Sequence, residues 1–300
     1  RGAVNIGSLL DVIVAGLLVE GAVAVLGWAQ ILYLLPISLF GMSIAASELP
    51  ELSRQRKAPA GEVAVQVSAA LERIHFLLVP SMAAFLLLGD VFIGGLYQRG
   101  EFLPTDTPVV YAVLAAYAFG LLASSGSRVL SSAFYAMRDT RTPARTAYLR
   151  VSVSLAVGIS LMFPLDRFTS GDLHYGAMGL ALGASVAAWL EYALLRRRLR
   201  RALGPHGPAR SVRGKILGAT TIAALAAGGA KWMLGSNVPR HEGMVAGLLG
   251  DSVPWLVQPA LAASTAFIFG VVYLTVTSRL GVGAPLRQLL GRRSNSPDSL

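Results

Sequence analysis

The 300-residue chain is apolar and basic: 54% of its residues are hydrophobic, 14% are charged, and its formal net charge is +10. A soluble domain carries about 25% charged residues, so this composition, with a mean hydropathy of +0.59, excludes an ordinary soluble protein. The charge does not indicate a nucleic-acid partner, because the basic residues lie between apolar runs. The chain has no cysteine, which excludes disulfides and thiolate metal sites.

Eight apolar runs follow one another along the chain, most of them near the roughly 20 residues that a helix needs to cross a membrane. They are residues 4–18, 21–49, 74–97, 108–136, 144–165, 175–195, 216–234 and 255–276. Runs of this length and uniformity favour helices over barrel strands. The sequence therefore predicts an all-α integral membrane protein with eight transmembrane helices. Between the second and third runs, Glu62–Leu71 predicts a separate helix lying at the membrane interface.

The basic residues predict the orientation of these spans. With a cytoplasmic N-terminus, 21 Lys and Arg residues fall in cytoplasmic segments and only four in outer segments. The positive-inside rule thus predicts that both ends of the chain are cytoplasmic. Because the chain starts at Arg1 and not at Met, we expect it to be the later part of a longer protein. The polar, basic segment 283–300 is expected to be disordered.

Charged residues inside a membrane are costly, so they usually face a bundle interior or a wet cavity. Asp11 lies near the middle of the first run, with Asn5 and Ser8 at helical spacing on the same face. Two interpretations stay open for Asp11: binding of a cation, a proton or a substrate, or hydrogen bonding to a neighbouring helix. Arg128 lies inside the fourth run, where it either snorkels to the interface or contacts an anion such as a phosphate.

Other features of the runs favour structural roles. Pro36 and Pro80 lie inside runs and predict helix kinks. Gly179 and Gly183 form a GxxxG pattern, which is typical of close helix packing. Glu191, one turn from the cytoplasmic end of its run, predicts snorkelling or pairing with an arginine. No sequence motif of an enzyme, a metal site or a cofactor site is present, so neither catalysis nor a cofactor is expected.

A resemblance to a known family rests on four stretches. AFYAMRDTRTP (Ala133–Pro143) is similar to the FYA-x-x-D-x-x-TP signature of the MurJ/MviN lipid II flippases of the MOP exporter superfamily. Three further stretches resemble that family in the same order: Ile31–Arg54, Leu96–Thr107 and His174–Leu195. The signature residues of the turn are Asp139, Thr142 and Pro143, and Pro143 is expected at the first helical position.

The resemblance implies a fold and a function. The family has fourteen spans, and the eight runs look like the seventh to the fourteenth. Residues 1–203 would then form the second six-helix lobe, and residues 204–282 would form two final helices with a groove for a lipid tail. The implied function is translocation of undecaprenyl-pyrophosphate-linked peptidoglycan precursor across the bacterial cytoplasmic membrane by alternating access. Membrane lipid and cell-wall synthesis proteins are the implied partners.

The chain departs from the family at the second-lobe cavity. An Asp-Arg pair usually stands where this chain has Gln30 and Ile31, and a Glu often stands at the position of Leu34. We therefore predict that anion contacts in this half come from Gln30, Arg128 and polar backbone groups. Asp11 is also a weak candidate for a sodium site, because some members are thought to bind sodium there.

Two other functions stay open on the sequence. One is export of another lipid-linked oligosaccharide or of a drug by a related MOP exporter, which the lost arginine at Ile31 would allow. The other is a non-transporting member that acts as a membrane scaffold for cell-wall synthesis.

Overall fold

The computed structural model describes residues 13–18, 21–54, 60–237, 240–250 and 252–282, and within these ranges the protein is nearly all helical. After a helical turn at residues 13–15 come α1 (Ala22–Arg54), α2 (Ala60–Tyr97), α3 (Thr107–Ala136), α4 (Arg141–Leu165), α5 (Gly176–Leu203), α6 (Arg210–Leu234), α7 (Met244–Leu249) and α8 (Val257–Arg279). Two short antiparallel hairpins connect helices: β1 (Thr169–Ser170) with β2 (Leu173–His174), and β3 (Gly235–Asn237) with β4 (Arg240–Glu242). A 3-10 turn, Pro254–Leu256, leads into α8.

Six described helices are long and apolar enough to cross a membrane, and they match the predicted spans from the third to the eighth. The second predicted span, 21–49, lies within α1, whose apolar part is Ala22–Ser38. The first predicted span, 4–18, lies mostly outside the described residues, and so does the tail 283–300. The prediction of a multi-pass helical membrane protein is confirmed.

Glu62–Leu71 is helical, as predicted, but it is continuous with the third span and does not form a helix of its own. These residues form the first part of α2, a continuous helix of 38 residues. Nothing in the segment interrupts a helix, and Glu62 in the first turn is favourable beside the positive end of the helix dipole. At 1.5 Å per residue α2 is about 57 Å long, which exceeds a hydrocarbon core of ~30 Å.

Helix α3 is the centre of the fold, because it packs against α1, α2 and α5. Its apolar side chains, including Val110, Leu114 and Leu121, are fully buried. Helices α6 and α8 pack on each other and both pack on α2. The last two long helices are therefore attached to the rest of the protein through α2.

The GxxxG pattern of α5 packs closely against α4, as predicted. A Cβ atom added to Gly179 would lie 2.5 Å from the backbone nitrogen of Met162. One added to Gly183 would lie 2.5 Å from the carbonyl oxygen of Ser154. The two backbones can approach this closely because these positions carry no side chain.

Candidate functional site

Gln30, one of the predicted cavity residues, makes a side-chain hydrogen bond between two helices. Its side-chain Nε2 donates a hydrogen bond to the hydroxyl oxygen of Tyr117 on α3 at 3.1 Å. The ring of Tyr33, one turn further along α1, lies 5.3 Å from the ring of Tyr117. Gln30 is thus held at the contact between α1 and α3. The other predicted members of this group, Asn5, Ser8 and Asp11, lie outside the described residues.

Next to Gln30, α1 presents an uncharged surface. Ile31 is 57% exposed and Leu34 is 46% exposed, so both side chains point away from the packed helices. These are the two positions at which the family resemblance implies an arginine and a glutamate. A charged side chain at either position would project from the same exposed face of α1.

Arg128 does not lie close to Gln30. Tyr117, the partner of Gln30, precedes Arg128 by 11 residues on α3, which corresponds to about 16 Å along the helix axis. Arg128 is exposed, and its backbone carbonyl accepts a hydrogen bond from the Ser132 hydroxyl at 3.0 Å. Gln30 and Arg128 would therefore contact different parts of a large substrate, if both contact it.

Glu191 pairs with an arginine of a neighbouring helix. Its carboxylate lies 2.9 Å from the Arg150 guanidinium of α4, and Glu191 is 7% exposed. Arg150 also donates to the hydroxyl of Ser124 at 3.4 Å. Glu191 pairs with an arginine, as predicted, although with Arg150 of α4 and not with one of the nearby arginines that end its own run. The contact joins α3, α4 and α5.

Both prolines lie inside continuous helices, Pro36 in α1 and Pro80 in α2. Pro80 has no backbone N–H, so the carbonyl of Phe76, four residues earlier, loses its usual helical partner. The hydroxyl of Tyr273 on α8 donates a hydrogen bond to this carbonyl at 2.6 Å. Pro80 thereby provides an acceptor that attaches α8 to α2.

An apolar groove of about 360 Å³ lies beside this contact. One wall comes from α2 and the other from α8, and Ser81 and Tyr273 are its polar members. The lining side chains are Phe76, Leu77, Pro80, Ser81, Ala84, Phe92, Ala266, Phe269, Gly270, Tyr273 and Leu274. The expected lipid-tail groove lies on the final two helices, whereas this groove is formed by α8 together with α2.

A buried ion pair joins α6 to α2 near one end of both helices. Lys231 Nζ lies 2.6 Å from a carboxylate oxygen of Asp90, a residue with no exposed surface. The second carboxylate oxygen accepts hydrogen bonds from the Asn237 backbone N–H at 3.1 Å and from the Ser236 hydroxyl at 3.3 Å. We call Asp90, Lys231, Ser236 and Asn237 the Asp90 junction.

The Asp90 junction extends to α8. The Asn237 side-chain amide donates to the Gln258 side-chain oxygen at 2.9 Å and to the Asp90 carbonyl at 3.3 Å. Gly94 leaves the space for these groups, since a Cβ there would collide with the amide of Asn237. The hairpin after α6 thus connects α2, α6 and α8 through polar contacts.

The signature turn between α3 and α4 has a defined backbone. Arg138 adopts a left-handed conformation with φ of 62°, its N–H donates to the Tyr135 carbonyl, and the Asp139 N–H donates to the Phe134 carbonyl. This is the pattern of a Schellman cap. The Asp139 carboxylate then accepts the N–H of Thr142 at 2.9 Å. Helix α4 begins at Arg141, so the prediction that Pro143 is the first helical residue is wrong, although it still lies in the first turn.

Sequence reasoning missed the Asp90–Lys231 pair. Both lie close to the ends of runs that are predicted to cross in the same direction. Opposite charges at similar depth in two parallel spans were therefore a usable sign of pairing.

Six helices long and apolar enough to cross a membrane define a multi-pass helical membrane protein. The family described as lipid II flippase MurJ matches residues 2–253. The chain therefore belongs to the lipid II flippase MurJ family, as the four sequence stretches indicated.

Individual relatives agree with this membership. A probable lipid II flippase MurJ of Rhizobium tropici is 35% identical over 173 residues, which cover 57% of this chain and 31% of that protein. One of Haemophilus influenzae is 29% identical over 235 residues, covering 76% of this chain and 44% of that protein. The chain thus spans less than half the length of these relatives.

A solved structure agrees with the fold. It is a lipid II flippase MurJ in an inward closed conformation, with a TM-score of 0.72 and 21% sequence identity. The likeness covers 97% of this chain and 52% of that one. The helical arrangement described above is therefore the fold of about half of a flippase of this kind.

Proposed function

We propose that this chain is part of a lipid II flippase, which translocates undecaprenyl-pyrophosphate-linked peptidoglycan precursor across the bacterial cytoplasmic membrane by alternating access. The observation that carries the proposal is the family match over residues 2–253. The activity is transport without a catalysed reaction. The substrate is a membrane lipid, and cell-wall synthesis proteins are proposed partners.

We propose the following arrangement for the chain. Residues 1–203 form the second lobe of a fourteen-helix protein with six membrane spans, and residues 204–282 add the last two spans, which makes eight in this chain. Both ends of the chain lie in the cytoplasm, which the uneven distribution of basic residues supports. The Arg213 end of α6 is then cytoplasmic and the Lys231 end faces outward.

The groove between α2 and α8 is the proposed site for the polyprenyl tail. Its lining is apolar, and because a polyprenyl chain comes from the hydrocarbon core, it would be held there by shape and close packing and not by transfer from water. The head group would lie against the exposed face of α1 near Gln30, with Asp11, Asn5 and Ser8 as further candidates. Because Ile31 and Leu34 are uncharged, this half would bind the pyrophosphate with polar groups and Arg128.

Rescue of a strain depleted of its own lipid II flippase tests the activity. The full-length gene should restore growth and cell shape. Failure despite good membrane expression would contradict flipping and would favour export of another lipid-linked oligosaccharide or a scaffold role.

Asp11→Ala should reduce rescue, and an unchanged phenotype would remove Asp11 from the cavity. Ile31→Arg tests whether this position faces the substrate, because a new cation there should alter transport.

Gly270→Leu tests the tail groove. A Cβ at Gly270 meets no atom within 4 Å, so the side chain would enter the groove without disturbing the fold. The leucine side chain would occupy space that the tail needs and would remove packing contacts, so tail binding should weaken severalfold. Transport in reconstituted vesicles should fall severalfold as well.

Gly218→Leu is the matched control for this experiment. Gly218 lies on α6, its Cβ would also meet no atom within 4 Å, and it does not line the groove. Its transport rate should match that of the unsubstituted protein. Equal rates for Gly270→Leu and Gly218→Leu would show that the tail does not occupy this groove.

A further inference from the structure

A second cluster of charged side chains lies at the opposite end of α6 from Lys231. It comprises Tyr192 and Arg196 of α5, His206 of the connecting loop and Arg213 of α6, and we call it the Arg213 junction. Arg213 precedes Lys231 by 18 residues, which corresponds to about 27 Å along the helix. The Arg213 and Asp90 junctions therefore lie at opposite membrane interfaces.

Arg196 is held in place by its neighbours. Its guanidinium carbon lies 6.0 Å from the ring centroid of Tyr192, a residue only 6% exposed. On the other side it faces Gly207, at which an added Cβ would lie 3.5 Å from a guanidinium nitrogen. The Gly207 N–H donates to the Ser68 hydroxyl at 2.9 Å, so the loop is fixed to α2.

Arg213 approaches the same place from α6. Arg196 and Arg213 both interact electrostatically with His75 of α2 and with Tyr192, so both arginines lie in the neighbourhood of these two side chains. The Arg213 Nε atom is buried and has no hydrogen-bond partner among the described residues. The same holds for Nε2 of His206. Burial, with Arg196 and Arg200 nearby, holds the pKa of His206 below its ordinary value.

No carboxylate of the described residues forms an ion pair with Arg196 or Arg213; the described ion pairs involve Asp90, Asp166 and Glu191. Both arginines are half-buried, which makes an absent counter-charge costly. Other arginines of this segment are exposed to solvent, as residues that only set topology can be: Arg197, Arg198, Arg200, Arg201 and Arg210. The two half-buried arginines therefore differ from their neighbours.

We propose that the Arg213 junction binds the phosphate of an anionic phospholipid headgroup from the cytoplasmic leaflet, through the guanidinium groups of Arg196 and Arg213. Guanidinium groups bind phosphate oxygens in a bidentate manner, and basic pockets between membrane helices on the cytoplasmic side suit lipid headgroups. Arg196 follows the start of α5 by 20 residues, about 30 Å, which places it at the interface where such headgroups lie. The choice of leaflet rests on the topology proposed above.

Lipid binding to the purified full-length protein tests this site without requiring transport. The protein is placed in phosphatidylcholine nanodiscs, and the binding of fluorescent phosphatidylglycerol is compared with that of fluorescent phosphatidylcholine. The double variant R196Q/R213Q should lose affinity for phosphatidylglycerol by about tenfold or more, because two charge-assisted contacts are removed. The control R197Q/R201Q removes the same charge from exposed positions of α5 and should change the affinity less than about twofold.

Several results would overturn the proposal. Equal losses in R196Q/R213Q and R197Q/R201Q would mean that the attraction is a diffuse surface effect. No preference of the unsubstituted protein for phosphatidylglycerol would mean that there is no such site. Displacement of the lipid by millimolar inorganic phosphate alone would assign the site to free phosphate. If R196Q/R213Q does not fold, R213K keeps the charge and should still weaken binding severalfold, because lysine lacks the bidentate geometry.

This result can be separated from the proposed transport function. A protein that binds phosphatidylglycerol through Arg196 and Arg213 but fails to rescue a flippase-depleted strain would contradict only the flipping. A protein that rescues the strain but shows no arginine-dependent lipid binding would contradict only the headgroup site.

Discussion

The charged side chains at the two ends of α6 differ in whether they are paired within the protein. At the Asp90 junction, Lys231 is largely buried and lies 2.6 Å from a fully buried carboxylate that has two further hydrogen-bond donors. At the Arg213 junction, the two half-buried guanidinium groups form no ion pair with a carboxylate of the described residues. Both junctions join α6 to other helices of the protein.

The difference indicates two roles for charge in one helix. A buried charge that is paired and hydrogen bonded has no capacity for a ligand, so it fixes the position of the helix. A partly buried charge without a partner gains most from an anion that arrives from outside. We therefore expect the first junction to control stability and the second to control binding.

Removing Lys231 should have the largest effect on stability. Lys231→Met leaves the Asp90 carboxylate buried without its counter-charge, and breaking such a pair costs about 3–5 kcal/mol. The free energy of unfolding of the full-length protein in detergent measures this loss. Lys215→Met on the same helix is the control, since Lys215 is exposed and donates one hydrogen bond to the Leu280 carbonyl. It should cost at most about 1 kcal/mol.

The double variant D90N/K231M sharpens the same comparison. It removes both charges, so part of the lost stability should return relative to Lys231→Met alone. Equal stabilities of Lys231→Met and Lys215→Met would show that the Asp90 junction does not fix α6.

Tyr273→Phe should have a smaller effect than Lys231→Met. It leaves the Phe76 carbonyl buried without a donor, which costs about 1–3 kcal/mol. Adding Pro80→Ala should restore part of this stability, because residue 80 can then donate its N–H to that carbonyl within α2. A double-mutant cycle on the unfolding free energy tests the coupling, and strict additivity of the two changes would contradict it.

R196Q/R213Q should change stability less than Lys231→Met or Tyr273→Phe does, and in the opposite direction. In neutral detergent the variant removes two cations that lack a protein counter-charge, so we expect a gain of at most about 1 kcal/mol. A loss as large as that of Lys231→Met would mean that these arginines hold the fold together, and the contrast between the junctions would fail.

Asp139→Asn tests an exposed charge, whose effect on stability should be smaller than that of the substitutions above. Hydrogen bonds from the Thr142 side chain and backbone hold the pKa of the Asp139 carboxyl below its ordinary value. The ionised form therefore stabilises the turn above pH ~3.9, the usual aspartate pKa, and this contribution is lost as the pH falls through the lower folded-state value. In Asp139→Asn, the melting temperature should fall less below about pH 4 than in the unsubstituted protein.

Hydropathy predicted the membrane-crossing helices because a membrane imposes long apolar runs on the sequence. Helices α3 and α4 end close to their predicted bounds for this reason. The contacts were harder to predict, because residues far apart in the chain make them. Glu191 was expected to pair with an arginine, but the sequence could not specify Arg150, which lies 41 positions away. The sequence pattern did not predict that the third span extends back to Ala60 as one helix, because the polar first turns of a long helix resemble an amphipathic helix at the interface.

The sequence by itself determined that this is a multi-pass helical membrane protein of the lipid II flippase MurJ family. Tertiary structure is not needed for that result, since the apolar runs and the stretch Ala133–Pro143 are both contiguous in the sequence. Only the tertiary structure decided which charges are paired. Lys231 pairs with Asp90, which lies 141 positions away in the sequence, whereas no described carboxylate forms an ion pair with Arg196 or Arg213. That distinction depends on how helices α2, α5 and α6 pack, because burial and distance determine whether a charge is already satisfied within the protein.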